Sequence, residues 1–407
     1  MFRKLLLLLL VLIIQRVNSQ TFNDGVLFYT VINTENKYVS VEKLSDCPVG
    51  NLTIPETATY LDVNYTVTSI SEDAFSSCDR LLNVTLPETI TVINNNAFYN
   101  CPRLESINIP ESVNEIGDEV FYYCQALTNI TIPEGVTTIG KYTFFYCTNL
   151  DTINLPSTIN TIKTNAFSYC EGLVNINLPD ALTTIENYAF FKCESLRSLT
   201  IPENINRIEY YTFSFCSSLV SIELPNNLTF IGTAAFNFCS SLENLTIPVS
   251  VNTIQDYAFG SCTGLKNVTV NWSTPLVIND VYGNSNMFNG VNLPDVNLYV
   301  IPDYITDYEM ADVWQDFNIQ GQTLSNTEII KLDQNVTLYP NPVSNNVLYI
   351  KLSNNLQLNQ LKLFNLQGQI IKSTEKAILN TNNLKSGMYL VEVSTNSGKL
   401  LKKIMVL

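Results

Sequence analysis

The sequence predicts a repeat solenoid with a 23-residue period and a parallel β ladder, followed by a small all-β sandwich domain. Three observations predict it: cysteines recur at a fixed spacing, apolar residues keep the same phase, and the phase is lost after Gly321. A fixed period of this length indicates a repeat architecture. Nine of the ten cysteines are each 23 residues after the last: Cys78, Cys101, Cys124, Cys147, Cys170, Cys193, Cys216, Cys239 and Cys262.

Each repeat carries one short strand that a proline ends. In Leu150-Asp-Thr-Ile153-Asn-Leu155-Pro156, Ile153 and Leu155 share one face of a strand and Asn154 lies on the other. The proline stops the strand because it cannot donate to a ladder. A phenylalanine three residues before each cysteine and a leucine three after it complete the apolar set. One repeat cannot bury these residues alone, whereas stacked repeats form a continuous core.

The repeat resembles the BspA-like leucine-rich repeat. The resemblance rests on the pattern of Ala166-Phe167-Ser-Tyr-Cys170-Glu-Gly-Leu173-Val-Asn-Ile176-Asn-Leu178-Pro179 and covers about residues 45–321. Cys47 to Pro55 is a degenerate first copy, and Leu298 to Phe317 is expected to close the core. Proteins of that family are mostly secreted or surface proteins and several are adhesins, so the resemblance implies the same role here.

After the repeats, short alternating segments broken by Asn, Gly and Ser predict a small sandwich. The segments are Leu338 to Pro342, Val347 to Leu352, Leu361 to Ile371, Leu384 to Val393 and Lys399 to Leu407. This tail resembles the C-terminal sorting domain of type IX secretion substrates of Bacteroidota, in its Tyr339-Pro-Asn-Pro opening and its Gly387-x-Tyr strand. The resemblance implies handling by the type IX machinery and export across the outer membrane; an ordinary adhesive β-domain is the alternative.

The N-terminus has the pattern of a secretory signal peptide. Arg3 and Lys4 precede the apolar run Leu5 to Ile14, and cleavage is expected between Ser19 and Gln20. A membrane anchor is the alternative, but ten helical residues rise only about 15 Å, which is short of a bilayer core of roughly 30 Å. We therefore expect a secreted or outer-membrane surface protein organised as signal peptide 1–19, N-terminal cap 20–44, capped solenoid 45–321, linker 322–336 and sorting domain 337–407.

The composition of the chain argues against several classes of function. The formal net charge of −15 argues against nucleic acid or an anionic membrane as the main partner. The sequence contains no histidine, which removes histidine-dependent nucleophilic catalysis and histidine metal ligands. Only 14% of residues are charged, and no paired carboxylates recur in phase. We predict no enzyme, no cofactor and no metal site.

The cysteine series allows two interpretations. Adjacent coils bring equivalent Cα atoms within disulfide range, about 4.8 Å. Equivalent side chains point the same way, however, which favours small buried thiols. The series has an odd number of cysteines, so at least one thiol stays unpaired unless it forms a disulfide with Cys47. A linear series does not converge tetrahedrally on zinc.

Two surfaces are candidate binding sites. Neutral amides and hydroxyls face solvent on the strand side and could bind a glycan or an extended peptide, or they could satisfy one another along the ladder. An aromatic column precedes the cysteines and could stack on sugars or on itself. The strand-side candidates are Asn129, Thr131, Thr152, Asn154, Asn175, Asn177, Ser198 and Thr200, and the aromatic column is Tyr123, Tyr146, Tyr169, Phe215 and Phe238.

Together these features predict an exported binding or adhesion protein whose repeats face glycan or protein ligands. The alternative is a structural component of a surface layer or biofilm matrix that assembles laterally.

Overall fold

A computed structural model describes residues 20–277, 287–322 and 335–407, apart from residues 344–345, 354–355, 366–368, 383 and 397. The signal-peptide prediction for residues 1–19, with Ser19 at its end, lies outside the described residues, as does most of the expected linker. The described chain forms a β-solenoid of about 11 turns followed by antiparallel sheets, so the predicted fold class is confirmed.

One side of the solenoid is a ladder of parallel strands, here called the first ladder. Most of its strands are those that the Ile-x-Leu-Pro pattern predicts, and equivalent residues 23 apart pair in register, as Ile130 does with Ile153. The copy at Ile176-Asn-Leu178-Pro179 is an exception, since its segment forms only an isolated bridge between Thr152 and Asn175. The first ladder consists of β4 (Gly50–Thr53), β7 (Leu81–Thr85), β9 (Ser106–Asn108), β11 (Asn129–Thr131), β13 (Thr152–Asn154), β16 (Ser198–Thr200), β18 (Ser221–Glu223), β20 (Asn244–Ile247), β22 (Asn267–Val270), β23 (Asn297–Val300) and β24 (Asn318–Gly321).

The return segment of each coil forms a second ladder of parallel strands, most of them two residues long. The recurrent isoleucine of each strand faces the core and keeps the coils in register. The second ladder consists of β6 (Val63–Ile70), β8 (Val92–Ile93), β10 (Glu115–Ile116), β12 (Thr138–Ile139), β14 (Thr161–Ile162), β15 (Thr184–Ile185), β17 (Arg207–Ile208), β19 (Phe230–Ile231) and β21 (Thr253–Ile254).

The third side of each coil is the turn that carries phenylalanine and cysteine. Its backbone donates to the next coil, as Phe167 N–H does to the carbonyl of Ala189 at 2.8 Å and Tyr169 N–H to that of Phe191 at 2.8 Å. Asn165 and Tyr169 hold left-handed φ angles of 57° and 61°. This conformation costs a non-glycine residue roughly 1–2 kcal/mol, and the bonds between coils offset that cost.

The core is a stack of phenylalanines. The rings at the position three before each cysteine are fully buried and lie 5.2–5.9 Å from one another between ring centroids, in nearly parallel planes. Offset-stacked rings at this distance gain more than their buried area alone provides. One continuous apolar core therefore runs from the N-terminal cap to the C-terminal cap.

Both ends of this core are covered. At the N-terminus, β1 (Thr21–Asn23), β2 (Leu27–Asn33) and β3 (Tyr38–Lys43) form an antiparallel sheet. Strand β3 then pairs in parallel with β6, which β5 (Thr57–Tyr60) flanks. At the C-terminus, β23 and β24 extend the first ladder in parallel.

The C-terminal cap also contains a short helix, α1 (Ile305–Glu309), and 3₁₀ turns at Leu293–Asp295, Pro302–Tyr304 and Trp314–Asp316. Trp314 is fully buried there, and its indole N–H donates to the carbonyl of Leu276 at 2.9 Å.

The C-terminal domain has two antiparallel sheets. The smaller contains, in order, β25 (Val336–Tyr339), β26 (Val347–Leu352) and β29 (Ile378–Asn380), and the larger contains β28 (Ile370–Thr374), β27 (Leu358–Phe364), β30 (Gly387–Thr395) and β31 (Gly398–Val406). The segment from Leu361 to Ile371 contributes to two strands, β27 and β28, which pair with each other. The third strand of the smaller sheet, β29, was not predicted.

The expectation of buried free thiols holds for eight cysteines and is wrong for Cys78, which forms a disulfide with Cys47. The degenerate first coil brings these two Cα atoms to 5.1 Å. The other thiols are buried, and each donates to the phenylalanine carbonyl 26 residues earlier, as Cys170 Sγ does to Phe144 at 3.1 Å. Sulfur therefore stabilises one end of the solenoid covalently and the rest through weak hydrogen bonds.

The disulfide should stabilise the N-terminal end of the solenoid. Cys78→Ser is expected to lower the free energy of unfolding by about 3 kcal/mol, because the bond closes a 31-residue separation and restricts the unfolded chain. Urea unfolding with and without a reducing agent measures this. The reductant should destabilise the wild type as much as the substitution does and should leave the variant unchanged. Cys147→Ser, at the equivalent position without a disulfide, keeps the Cys47–Cys78 bond and should lose as much stability to the reductant as the wild type does.

The free thiols should be unreactive in the folded protein. Burial raises the pKa of Cys101 to about 11 and that of Cys216 to about 12, and the thiolate is the reactive form. A maleimide at pH 8 should therefore modify none of the eight free cysteines in the folded chain and all of them in denaturant, as counted by mass spectrometry. Rapid labelling of the folded protein would contradict the assignment of these thiols to the core.

Candidate ligand-binding surface

The first ladder presents polar side chains to solvent. In β11, β13 and β16 the central residue is buried and both neighbours are exposed, because successive side chains of a strand alternate between its faces. All the strand-side residues that the sequence singled out are exposed: Asn129, Thr131, Thr152, Asn154, Asn175, Asn177, Ser198 and Thr200. The surface they form carries amides and hydroxyls without charge.

Along much of the ladder these side chains bond to one another. Asn154 Nδ2 donates to Thr131 Oγ1 at 3.1 Å, and Asn267 Nδ2 donates to Asn244 Oδ1 at 2.8 Å. The same bond continues from Asn297 to Asn267 at 3.0 Å. These polar groups therefore already stabilise the stack, which is the alternative that the sequence left open.

The side chains of Asn175 and Asn177 differ from the other asparagines of the first ladder in their hydrogen bonding. Within the described chain neither side-chain amide has a hydrogen-bond partner. Their segment is joined to the preceding coil by a single bridge between Thr152 and Asn175, and the strand at Ser198 begins a separate sheet. A cleft of about 350 Å³ lies at this break, lined by Asn175, Asn177, Ser198, Thr200, Glu223 and neighbouring apolar residues. We call it the first-ladder cleft.

The second ladder is interrupted between the same two coils. Strands β15 and β17 belong to separate sheets, and a cleft of about 310 Å³ lies between them. Arg207 lies at its edge, with its guanidinium 3.8 Å from the centre of the Phe230 ring and its Nε 2.7 Å from Glu209 Oε1. The third side stays bonded across this junction, since Lys192 N–H donates to Ser214 at 2.9 Å. The coils on either side are thus joined mainly along one side.

A second such interruption occurs nearer the N-terminus. Strands β9 and β11 belong to separate sheets, as do β10 and β12. A cleft of about 420 Å³ there includes Asp118 and Lys163, whose charged groups are 3.4 Å apart. An ion pair therefore already occupies part of this cleft.

The aromatic column is present, and its rings stack on one another. Ring centroids are 4.6 Å apart for Tyr123 and Tyr146, 4.2 Å for Tyr146 and Tyr169, and 4.5 Å for Phe215 and Phe238. Each of these five residues holds a left-handed φ between 59° and 62°. The rings are half-buried, except for Phe238, which is 42% exposed. One edge of the stack faces outward.

Sequence reasoning missed Lys192 and a neighbouring aromatic column. Lys192 takes the place of the ring between Tyr169 and Phe215, with its Nζ 4.9 Å and 5.6 Å from their centres. The second column lies one residue earlier in each coil, where Tyr122 stacks on Tyr99 at 4.6 Å and on Phe145 at 4.8 Å. The same 23-residue phase, applied one position earlier, would have found it.

The crowded rings on this face make ionisation of a tyrosine hydroxyl less favourable. Burial, and then the neighbouring Tyr99 and Tyr123, raise the pKa of the Tyr122 hydroxyl to about 12. Among the described residues no three metal-ligating side chains come together to hold an ion, and no described helix is long and apolar enough to cross a membrane.

Two family models match the sequence. The BspA type Leucine rich repeat region matches residues 55–174 and 161–293, and the Secretion system C-terminal sorting domain matches residues 337–407. No curated protein matches the chain significantly.

Solved structures of bacterial leucine-rich-repeat proteins are similar. A leucine rich cell surface protein of Faecalibacterium prausnitzii is 23% identical over 76% of this chain and 96% of its own, with a TM-score of 0.39. The T. pallidum Leucine Rich Repeat protein is 24% identical over 55% of this chain and 91% of its own, with a TM-score of 0.39. A leucine-rich repeat protein of Bacteroides ovatus is 23% identical over 75% of this chain and all of its own, with a TM-score of 0.28.

Proposed function

The chain belongs to the BspA-type leucine-rich-repeat family, and we propose that it is a non-enzymatic binding protein that presents its first ladder to glycan or protein ligands. The observation that carries the proposal is the exposed series of neutral amides and hydroxyls on the first ladder. Exposed polar groups on a rigid scaffold suit recognition.

The C-terminal domain indicates where in or outside the cell the protein acts. A type IX sorting domain implies export to the cell surface or secretion, with handling by that machinery through residues 337–407. We further propose that residues 1–19 are a signal peptide cleaved before Gln20. Mass spectrometry of the N-terminus of the exported protein tests this, and a mature chain that retains Arg3 would contradict it.

The binding role is tested with the full mature chain. Glycan arrays and pull-down of host proteins should yield a ligand, and deletion of the gene should weaken attachment of the producing cell. If no ligand is found by either method and attachment is unchanged, the binding role is wrong.

The aromatic face favours a second candidate function, lateral assembly in a surface layer or matrix. Its half-buried rings could gain by burial between molecules, since aromatic side chains are enriched at the centres of interfaces. Light scattering separates the two roles. Lateral assembly is favoured if the scattering mass rises with protein concentration and if Tyr146→Ser and Phe238→Ser abolish that rise. A monomer at all concentrations favours binding alone.

A further inference from the structure

The first-ladder cleft combines a break in the ladder with two asparagines whose side chains bond to no other residue of the described chain. The asparagines elsewhere on the ladder donate or accept side-chain hydrogen bonds, as Asn154 and Asn267 do. Asn175 and Asn177 have none within the described chain, although they stand at the same two positions of the repeat. Each amide offers donors and an acceptor, so an unbonded pair beside a cleft is equipped for a ligand.

The break in the ladder also creates the space. The strand at Ser198–Thr200 pairs with the strand after it but not with the segment before it. Its backbone groups on that side face the cleft without a strand partner. A volume of about 350 Å³ is within the usual range of small-molecule sites, roughly 300–1,000 Å³.

The lining defines the chemistry of the occupant. Thr200 Oγ1 donates to Glu223 Oε2 at 3.2 Å, which positions a carboxylate as an acceptor at one side. Asp180 lies at the other, where its carbonyl accepts from Asn204 Nδ2 at 2.7 Å. Leu178 and Pro202 supply apolar surface between them. Amides, hydroxyls and carboxylate acceptors around an apolar floor match a ligand with many hydroxyls and exposed C–H groups.

We propose that the first-ladder cleft is a binding site for a short neutral saccharide. The inference deepens the proposed binding function and rests on it. A neutral sugar is favoured over an acidic one because the two carboxyl side chains and the chain's net charge of −15 repel anions. A compact sugar is favoured over an extended peptide. The Asn204 side chain bonds across the junction to the Asp180 carbonyl, so the two strand edges that face the cleft stay one coil spacing apart. An extended peptide strand inserted between them would need a wider gap.

The test uses the full mature chain on an array of neutral oligosaccharides, their sialic- or uronic-acid counterparts and extended peptides. Titration calorimetry then measures the affinity for the best neutral oligosaccharide. The double variant Asn175→Ala/Asn177→Ala should bind about tenfold more weakly, the loss expected for two neutral hydrogen bonds. Ser198→Trp should abolish binding by filling the cleft. Both variants should melt at the wild-type temperature because all three residues are exposed.

Asn252→Ala/Thr253→Ala is the control, since it removes an exposed amide and an exposed hydroxyl at β21 of the second ladder, away from the proposed binding surface. It should bind as the wild type does. Equal weakening in both double variants, or in neither, would overturn the cleft as the site while leaving the proposed binding function intact. Binding of acidic glycans or peptides in place of neutral sugars would overturn the ligand class only. If nothing on the array binds, the inference fails, and the pull-down of host proteins decides the proposed function separately.

Discussion

Ile153→Asp should unfold the middle of the solenoid, with a loss of roughly 4 kcal/mol or more. Ile153 is 4% exposed and pairs in register with Ile130 in the first ladder. The substitution removes roughly 1.5–3 kcal/mol of apolar burial and introduces a carboxylate without a partner, which costs still more. Urea unfolding followed by circular dichroism measures the loss.

Asn154→Asp is the matched control for this change. Asn154 is the exposed neighbour of Ile153, and its amide donates to Thr131 at 3.1 Å. An aspartate there can accept from the same hydroxyl, so we expect a change within about 0.5 kcal/mol. If the two aspartates destabilise the protein equally, the assignment of inward and outward faces on β13 is wrong.

Phe167→Ala should cost about 3–5 kcal/mol, as truncations of buried phenylalanines do when the surroundings cannot close the cavity. The Phe167 ring is fully buried between Phe144 at 5.4 Å and Phe190 at 5.2 Å. Both neighbours lose a stacking partner, and the coils above and below cannot collapse because their backbones are bonded on the third side. Denaturant unfolding and limited proteolysis around Cys170 should both report the defect.

Two controls separate cavity formation from a general effect of aromatic truncation. Phe167→Leu keeps most of the volume and should cost clearly less than Phe167→Ala. Tyr169→Ala removes a half-buried ring of the same coil and should also cost less, because that side chain is partly in solvent. A Tyr169 variant as unstable as Phe167→Ala would show that the outer aromatic stack carries as much stability as the core.

The sequence was sufficient to predict the solenoid because one physical constraint recurs in every unit. A residue at a given phase of the period meets its equivalents above and below, so Phe167, Cys170 and Leu173 can only share one core. The register between coils followed without further assumptions. The N-terminal cap, in contrast, is antiparallel and lies outside the period, and only its existence was expected.

The disulfide could not be predicted from the spacing alone. Equivalent cysteines point the same way, which argued correctly against bridges between regular coils. Cys47 is not equivalent, because its copy is shorter and an insertion follows it. The resulting displacement brings it within 5.1 Å of Cys78 between Cα atoms, and that displacement is a property of the packed cap.

The polar surface was predicted residue by residue, but its most distinctive part was not. Asn175 and Asn177 have the residue types found at equivalent positions in other coils, so composition gave no reason to separate them. The break between their coil and the next depends on how successive coils pack along three sides at once. The clefts on the first and second ladders therefore became visible only in three dimensions.

The hydrogen bonds of the buried thiols have a consequence for how the chain acquires its structure. Each of these thiols reaches a carbonyl 26 residues earlier, so a coil that orders after its N-terminal neighbours finds its acceptor already in place. Short sequence separations of this kind favour rapid ordering and allow growth from any nucleus. The rod can thus lengthen coil by coil, and it does not need its last residues in order to begin.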